Sequence, residues 1–328
     1  MNSRPEISVL MANHNGSRHL GDAITSLQIQ TFPSWELVLV DDASKDRSVA
    51  LATRAARDDQ RIRVIAQSVN CGPAAARNRA IDAARGRWLA VFDSDDIMRP
   101  ERLSRLHARA AADGAQIVAD NLLLFSDDRR TARPFLRGNA ARHPRWIGLA
   151  EFVDSNSLYA RQPDLGYLKP FLDGDLLHRS GVRYDERLRI GEDYDFLARL
   201  LTSGRKLLLE PAPLYLYRRH PASTSYRLRP EHIRALMEAH NRFLAGAYLL
   251  GGDELRALGR RERSLRSMLL FDDVISLLKA GRYWRAAGMI LTAPQIWPLL
   301  MRPLRARVVP RIGRRTPDAQ QLAAATGR

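Results

Sequence analysis

Carboxylates gather in this chain at what read as the ends of two strands. Val40-Asp41-Asp42-Ala43-Ser44 closes one apolar run, and Phe92-Asp93-Ser94-Asp95-Asp96 closes another. A further pair, Glu192-Asp193, opens a helix-like stretch behind Gly191. Capping a helix needs one acid, not five acids at one edge of a sheet. Their mutual repulsion is tolerable if a cation or ligand neutralises some of them. Asp-Ser-Asp-Asp offers hard oxygen ligands within a single turn, which suits Mg2+ or Mn2+ carried in with a diphosphate. Each group alone has a plainer use. Asp41 and Asp95 could cap the helices that follow, and Asp42 could form an Asx turn with Ser44 and Lys45. Glu192 and Asp193 could simply be favourable charges in the first turn of a helix.

The elements that would carry these acids alternate at short spacing. Strands are expected at 7–12, 36–41, 62–67, 88–93 and 115–120, with helices at 19–31, 46–59, from Gly72-Pro73 to about Gly86, and 100–113. That alternation predicts an α/β fold, a mostly parallel sheet with helices on both faces. Ligands bind such sheets outside the carboxyl ends of the strands, where the acids lie. Residues 126–165 are polar and read as loop with short helices. A second block follows, with a helix from Gly191-Glu192-Asp193 and a strand at 214–218. Two amphipathic helices are expected between 231 and 280, broken at Gly251-Gly252.

The composition supports a packed core: 328 residues, 45% hydrophobic and 27% charged, which excludes disordered and fibrous classes. The single cysteine, Cys71, precludes a disulfide framework within the chain. The first residues carry no apolar signal core, so a cytoplasmic protein is expected. The formal net charge is +16, of which +9 falls in residues 277–328, where ten Lys or Arg meet one acid. These bases flank an apolar stretch, Ala286 to Met301, with Trp284 and Trp297 at or within it. Pro294 and Pro298 interrupt that stretch, and it is too short to span a bilayer. Its composition fits a segment lying in the headgroups of an anionic leaflet, or a packed helix pair with a basic tail. The bases are not interleaved with aromatics as in a nucleic-acid reader, so no nucleic-acid partner is expected.

Five strings in order resemble the inverting, GT-A-type glycosyltransferases of family 2. They are Ile7-Ser8-Val9-Leu10-Met11-Ala12-Asn13-His14-Asn15, Leu39-Val40-Asp41-Asp42-Ala43-Ser44, Asn70-Cys71-Gly72-Pro73-Ala74-Ala75-Ala76-Arg77-Asn78, Phe92-Asp93-Ser94-Asp95-Asp96 and Gly191-Glu192-Asp193-Tyr194-Asp195. The resemblance covers roughly residues 6–225. Ala119-Asp120-Asn121-Leu122 and Gly166-Tyr167-Leu168-Lys169-Pro170 look further like the glucosyltransferases of succinoglycan-type exopolysaccharide assembly. The resemblance implies a catalytic domain at 1–225, and the pattern and composition of the remainder give a helical, basic region at 226–315 and a flexible tail at 316–328.

The resemblance also implies roles. Asp42, with Asp41 beside it, would hydrogen-bond the uracil of a UDP-sugar, since a carboxylate can accept the ring N–H. His14 stands where many relatives carry Tyr and would stack on the base, while Ala12 offers backbone groups. Arg77 and Asn78 would approach the nucleotide from a helix N-terminus. Asp95, then Asp96, would bind Mn2+ or Mg2+ through the diphosphate, with Asp93 and Ser94 near the ribose. Asp193 would be the catalytic base, oriented by Glu192. Arg218 and His220 would touch the diphosphate or the metal. Lys169, Asp173 and Asp175 would face the acceptor, a glycan or lipid-linked oligosaccharide. The enzyme would sit peripherally on the cytoplasmic face of the inner membrane.

Two other readings compete. A nucleotidyltransferase would carry a glycine-rich, basic loop after the first strand, where this chain has Asn13-His14-Asn15-Gly16-Ser17. A non-catalytic nucleotide-sugar-binding scaffold of a polysaccharide assembly complex would have no need of the full set of acids.

Overall fold

The computed structural model describes residues 4–127, 131–157, 160, 163–202, 204–219 and 229–299. The chain starts with β1 (Ile7–Asn13), α1 (Leu20–Gln28), β2 (Trp35–Asp41), α2 (Ser48–Asp58) and β3 (Ile62–Ala66). α3 (Pro73–Ala83), β4 (Trp88–Val91), the short β5 (Ile97–Met98), α4 (Arg102–Asp113) and β6 (Ile117–Ser126) follow. β1 and β2 are apolar along almost their whole length because both faces of this half of the sheet are covered. α3 begins with a proline at its first position, and α4 stops at Gly114 in a left-handed conformation.

The middle of the chain holds more sheet than its polarity suggests. β7 (Ala132–Pro134) and β8 (Arg145–Ile147) lie inside the stretch expected to be loop, before α5 (Leu149–Ser155). β9 (Pro170–Asp173) starts on a proline, which a strand tolerates at its first residue. α6 (Gly174–Ser180), α7 (Glu192–Leu200) and β10 (Leu207–Arg219) follow. β6 and β10 outrun their expected lengths because they pair with each other in parallel, from Leu208 opposite Val118 to Arg219 opposite Ser126. Irregular register between Glu210 and Tyr215 absorbs Pro211 and Pro213.

The sheet order is β3-β2-β1-β4-β9-β6-β10-β5, with β7 beside β6 and β8 beside β10. β3, β2, β1 and β4 run parallel, as do β6 and β10. β9 lies antiparallel between β4 and β6 and brings residue 169 to the middle of the sheet. α8 (Pro230–Ala245), α9 (Gly252–Lys279) and α10 (Tyr283–Thr292) complete the described chain. The break between α8 and α9 falls at the expected glycines. Phe243, Ala257 and Leu258 join the main core, so these helices pack on the sheet domain. Among the described residues no helix is long and apolar enough to cross a membrane. The tail at 316–328 lies outside the described residues.

Candidate active site

The carboxyl ends of β1, β2 and β4 open on a cavity of about 940 Å³, which the loop before α7 and the faces of α8 and α9 close from the other side. The loops after β1 and β2 are tied together. Ser44 Oγ accepts from the Asn15 amide at 2.8 Å, and Asn15 Oδ1 accepts from the Lys45 amide at 2.8 Å. Ala43 holds φ 57°, a costly conformation for a residue with a Cβ. Asp41 fixes that turn by accepting from the Ser44 amide and hydroxyl at 2.8 and 2.7 Å and from Asn13 Nδ2 at 2.8 Å. Asp41 is fully buried and does not line the cavity, so its structural place is the turn and not the nucleotide surface.

Asp42 and His14 do face the cavity, with Ala12 beside them. Asp42 Oδ1 accepts from Gln67 Nε2 and the Cys71 amide at 2.9 and 2.8 Å, and Oδ2 accepts from the Gly72 amide at 2.8 Å. A carboxylate has about four lone-pair sites, so one remains for a ligand N–H. Gly72 adopts φ 95°, which brings its amide onto Asp42 as α3 starts. The His14 ring donates from Nδ1 to the Asp42 carbonyl at 2.8 Å and accepts at Nε2 from Asn15 at 2.9 Å. Its edge is fixed while the residue stays exposed.

The second acidic loop follows β4. Carboxylate oxygens of Asp93, Asp95 and Asp96 lie within 4.8 Å of one another, the one such group of potential metal ligands among the described residues. The three are not alike. Asp96 is buried behind the cavity, where Oδ2 accepts from the Tyr215 hydroxyl and Oδ1 from the Arg218 amide, both at 2.7 Å. Burial, with Asp95 and Asp93 nearby, pushes its carboxyl well above the usual range. Asp93 is held by Arg77 at 2.8 Å and Lys169 at 2.7 Å. Burial opposes its charge, but these two cations outweigh it and hold the carboxyl below the usual range. Asp93, Ser94 and Asp95 line the cavity, and of the two acids there Asp93 is the one engaged by Arg77 and Lys169.

Three expected contacts with the nucleotide are redirected. Arg218 is buried and braces the acidic loop from behind, donating from Nε to the Asp95 carbonyl at 2.7 Å and pairing with Asp22 at 3.1 Å. Asn78 faces away and clamps Tyr184, donating to its carbonyl at 3.0 Å and accepting from its amide at 2.8 Å. Arg77 lines the cavity, but its guanidinium is spent on carboxylates: Asp93, Glu192 at 2.6 Å and Asp193 at 3.4 Å. His220 falls outside the described residues.

α7 starts at Gly191, whose φ of 79° and closeness to Leu236, 2.6 Å from an added Cβ, admit only glycine. Glu192 and Asp193 sit in its first turn. Burial, then Asp193, raises the Glu192 carboxyl, while Arg77 opposes the shift. Asp193 Oδ2 accepts from Lys169 Nζ at 2.8 Å, and its buried Oδ1 has no hydrogen-bond donor among the described residues. Asp173 caps α6 through the Asp175 amide, and neither acid lines the cavity. Sequence reasoning did not single out Tyr215, Arg102, Tyr184 or Arg261. Tyr215, Arg102 and Arg261 are lone residues on a strand or a helix and Tyr184 lies in the loop between α6 and α7, and only the tertiary fold brings them to the residues of the site.

The chain matches the model for "Glycosyl transferase family 2" over residues 8–165. It is 40% identical to the succinoglycan biosynthesis protein ExoO of Rhizobium meliloti (strain 1021) over 304 residues, 93% of this chain and 86% of that protein. In structure it resembles S. aureus TarS 1-349 in complex with UDP, with TM-score 0.59 and 18% identity, over 81% of this chain and 70% of that one. It also resembles the mannosyltransferase PcManGT of Pyrobaculum calidifontis in complex with GDP-Man and Mn2+, with TM-score 0.61 and 13% identity, over 99% and 85% of the two chains.

Proposed function

The chain belongs to glycosyl transferase family 2 and has the GT-A fold expected of it, and from that premise we propose that it moves a hexose from a UDP-sugar to a glycan acceptor with inversion. Glucose is the first hexose to test, and a lipid-linked oligosaccharide of bacterial exopolysaccharide assembly the first acceptor. ExoO supports the assembly, and the UDP held by TarS supports the nucleotide.

One observation carries the reading. Among the described residues the buried Asp193 Oδ1 lacks a hydrogen-bond donor, and Asp193 lines the same cavity as Asp42 and Asp95. A buried acceptor atom without a donor is unfavourable, and a hydroxyl would satisfy it. Asp193 takes the proton of the acceptor hydroxyl as that oxygen attacks the anomeric carbon from the face opposite the leaving UDP. Asp42 orders the uracil edge, and Arg77 holds Glu192 and Asp93 around the base. The clustered carboxylates fit a divalent ion, Mn2+ or Mg2+, held by Asp95 with Asp96 behind it. Such an ion supplies neutralising charge to the departing diphosphate.

A membrane contact belongs to the same proposal. Tyr283, Trp284 and Leu291 of α10 are 66%, 92% and 74% exposed beside Arg282 and Arg285. Aromatic, aliphatic and cationic side chains together suit the cytoplasmic face of an anionic inner membrane.

The test is a UDP titration with and without Mn2+, followed by turnover of UDP-glucose by the wild type and Asp193→Asn. Metal-linked UDP binding in both, with turnover about 100-fold to 10,000-fold slower in the variant, is expected. Unchanged turnover removes Asp193 from the mechanism. Binding with no wild-type turnover on any hexose donor or acceptor assigns a scaffold instead.

A further inference from the structure

Lys169 stands between the acid of the metal loop and the acid at the head of α7. Its Nζ lies 2.7 Å from Asp93 Oδ2 and 2.8 Å from Asp193 Oδ2. An ammonium has three donors, and two are committed here. Burial opposes its charge, but Asp193 and Asp93 outweigh that and hold the lysine well above its usual range. The main chain is pinned as well, because the Lys169 carbonyl accepts from Arg102 at 2.9 Å. Neither end of the residue is free to drift.

That fixture divides the labour of two carboxylates. On Asp193 it occupies Oδ2 and leaves Oδ1 buried without a donor, with Arg77 3.4 Å away. On Asp93 it joins Arg77, so each oxygen already faces a cation, and the two positive charges oppose a metal ion there. We propose that Lys169 is a positioning residue of the transfer step: it turns Asp193 Oδ1 toward the acceptor hydroxyl and withholds Asp93 from the cation, leaving Asp95 to meet the metal. The role deepens the sugar-transfer reading and rests on it.

The geometry predicts effects of opposite sign, which a residue that merely supports the fold would not give. Lys169→Met keeps the buried stem and removes the charge. Calorimetry with Mn2+ alone should show binding about threefold to tenfold tighter, because a nearby positive charge is gone. With UDP-glucose and Mn2+, kcat should fall about 100-fold while KM stays within about threefold. Lys169→Arg should return kcat to within about tenfold of the wild type. Weaker Mn2+ binding together with slower turnover, or an unchanged kcat, would overturn the proposal.

Asp93→Asn tests the other half should Lys169→Met fail to fold. It keeps the Lys169–Asp193 contact, and Mn2+ affinity should stay within about fivefold of the wild type. A larger loss would make Asp93 a metal ligand and refute the division of roles. Absence of Mn2+-linked UDP binding in the wild type sinks the sugar-transfer reading itself, and the role of Lys169 with it.

Discussion

Arg102 donates to the main-chain carbonyl of Lys169 across 2.9 Å, with both residues out of solvent. The same guanidinium pairs with Asp120 at 2.9 Å and lies 4.8 Å from the Tyr215 ring. Tyr215 accepts from the Asp93 amide at 3.0 Å and donates to Asp96 at 2.7 Å. One cation on α4 therefore ties together β6, the start of β9 and β10, and through Tyr215 it reaches the acidic loop. The chemistry at the strand ends is held from beneath by a polar network inside the sheet.

Replacing Arg102 by Leu strands Asp120 in that interior. A buried pair broken on one side costs about 3–5 kcal/mol, so the urea midpoint of Arg102→Leu should fall accordingly. The double variant Arg102→Leu with Asp120→Leu should recover part of the loss, because no charge is left unpaired. A single variant within about 1 kcal/mol of the wild type would show that the pair is solvated, against its complete burial.

Asp95 and Asp96 sit in one loop but meet different surroundings, and their variants should separate. Asp95→Asn should weaken Mn2+-linked UDP binding by about tenfold or more, since it removes a carboxylate that lines the cavity and is proposed to meet the metal. UDP binding without metal, which the proposal rests on Asp42, should change by less than about threefold. Calorimetry with and without Mn2+ reads both. Equal loss in the two titrations would place Asp95 on the nucleotide.

The alternation of apolar runs made the parallel half of the sheet legible, because strands buried on both faces leave continuous hydrophobic runs. The two acidic strand ends and Glu192-Asp193 were legible for the complementary reason: charge without a structural use stands out. Depth was not legible. Asp41 and Asp42 are neighbours in sequence, yet one is sealed in a turn and the other lines the cavity. Arg218 reads as a contact to the diphosphate or the metal but is enclosed by Asp22, Asp127 and the Asp95 carbonyl. β7, β8 and β9 are three or four residues long and exist through pairing with distant strands, which local periodicity does not record.

The α10 surface gives a prediction that does not depend on catalysis. Trp284→Ser combined with Leu291→Ser should weaken sedimentation with phosphatidylglycerol-containing vesicles by about tenfold, since two large apolar groups no longer enter the headgroup layer. Binding to purely zwitterionic vesicles should be weak for both proteins, and added salt should release the wild type. Equal sedimentation of the variant and the wild type would remove this face from the membrane contact.

His240 sets a limit on stability at acid pH. It is buried on α8, where its Nδ1 accepts from Arg261 at 3.2 Å and its Nε2 has no hydrogen-bond partner among the described residues. Burial first, and then the neighbouring guanidinium, push its pKa from 6.5 down to about 4. Between those values the unfolded chain binds the proton and the folded chain does not. Stability should therefore be full above about pH 6.5 and fall as pH drops toward 4, by about 3 kcal/mol from this residue. Arg261 also lies 4.1 Å from the Tyr194 ring, next to Asp193, and donates to Asn156 at 2.8 Å. Protonation of His240 should thus loosen the contact of α8 and α9 with α7. Urea unfolding of the wild type and His240→Gln from pH 4.5 to 8 reads the effect. The variant should lose less stability across the acid range, and parallel curves would mean that the carboxylates alone cause the acid loss.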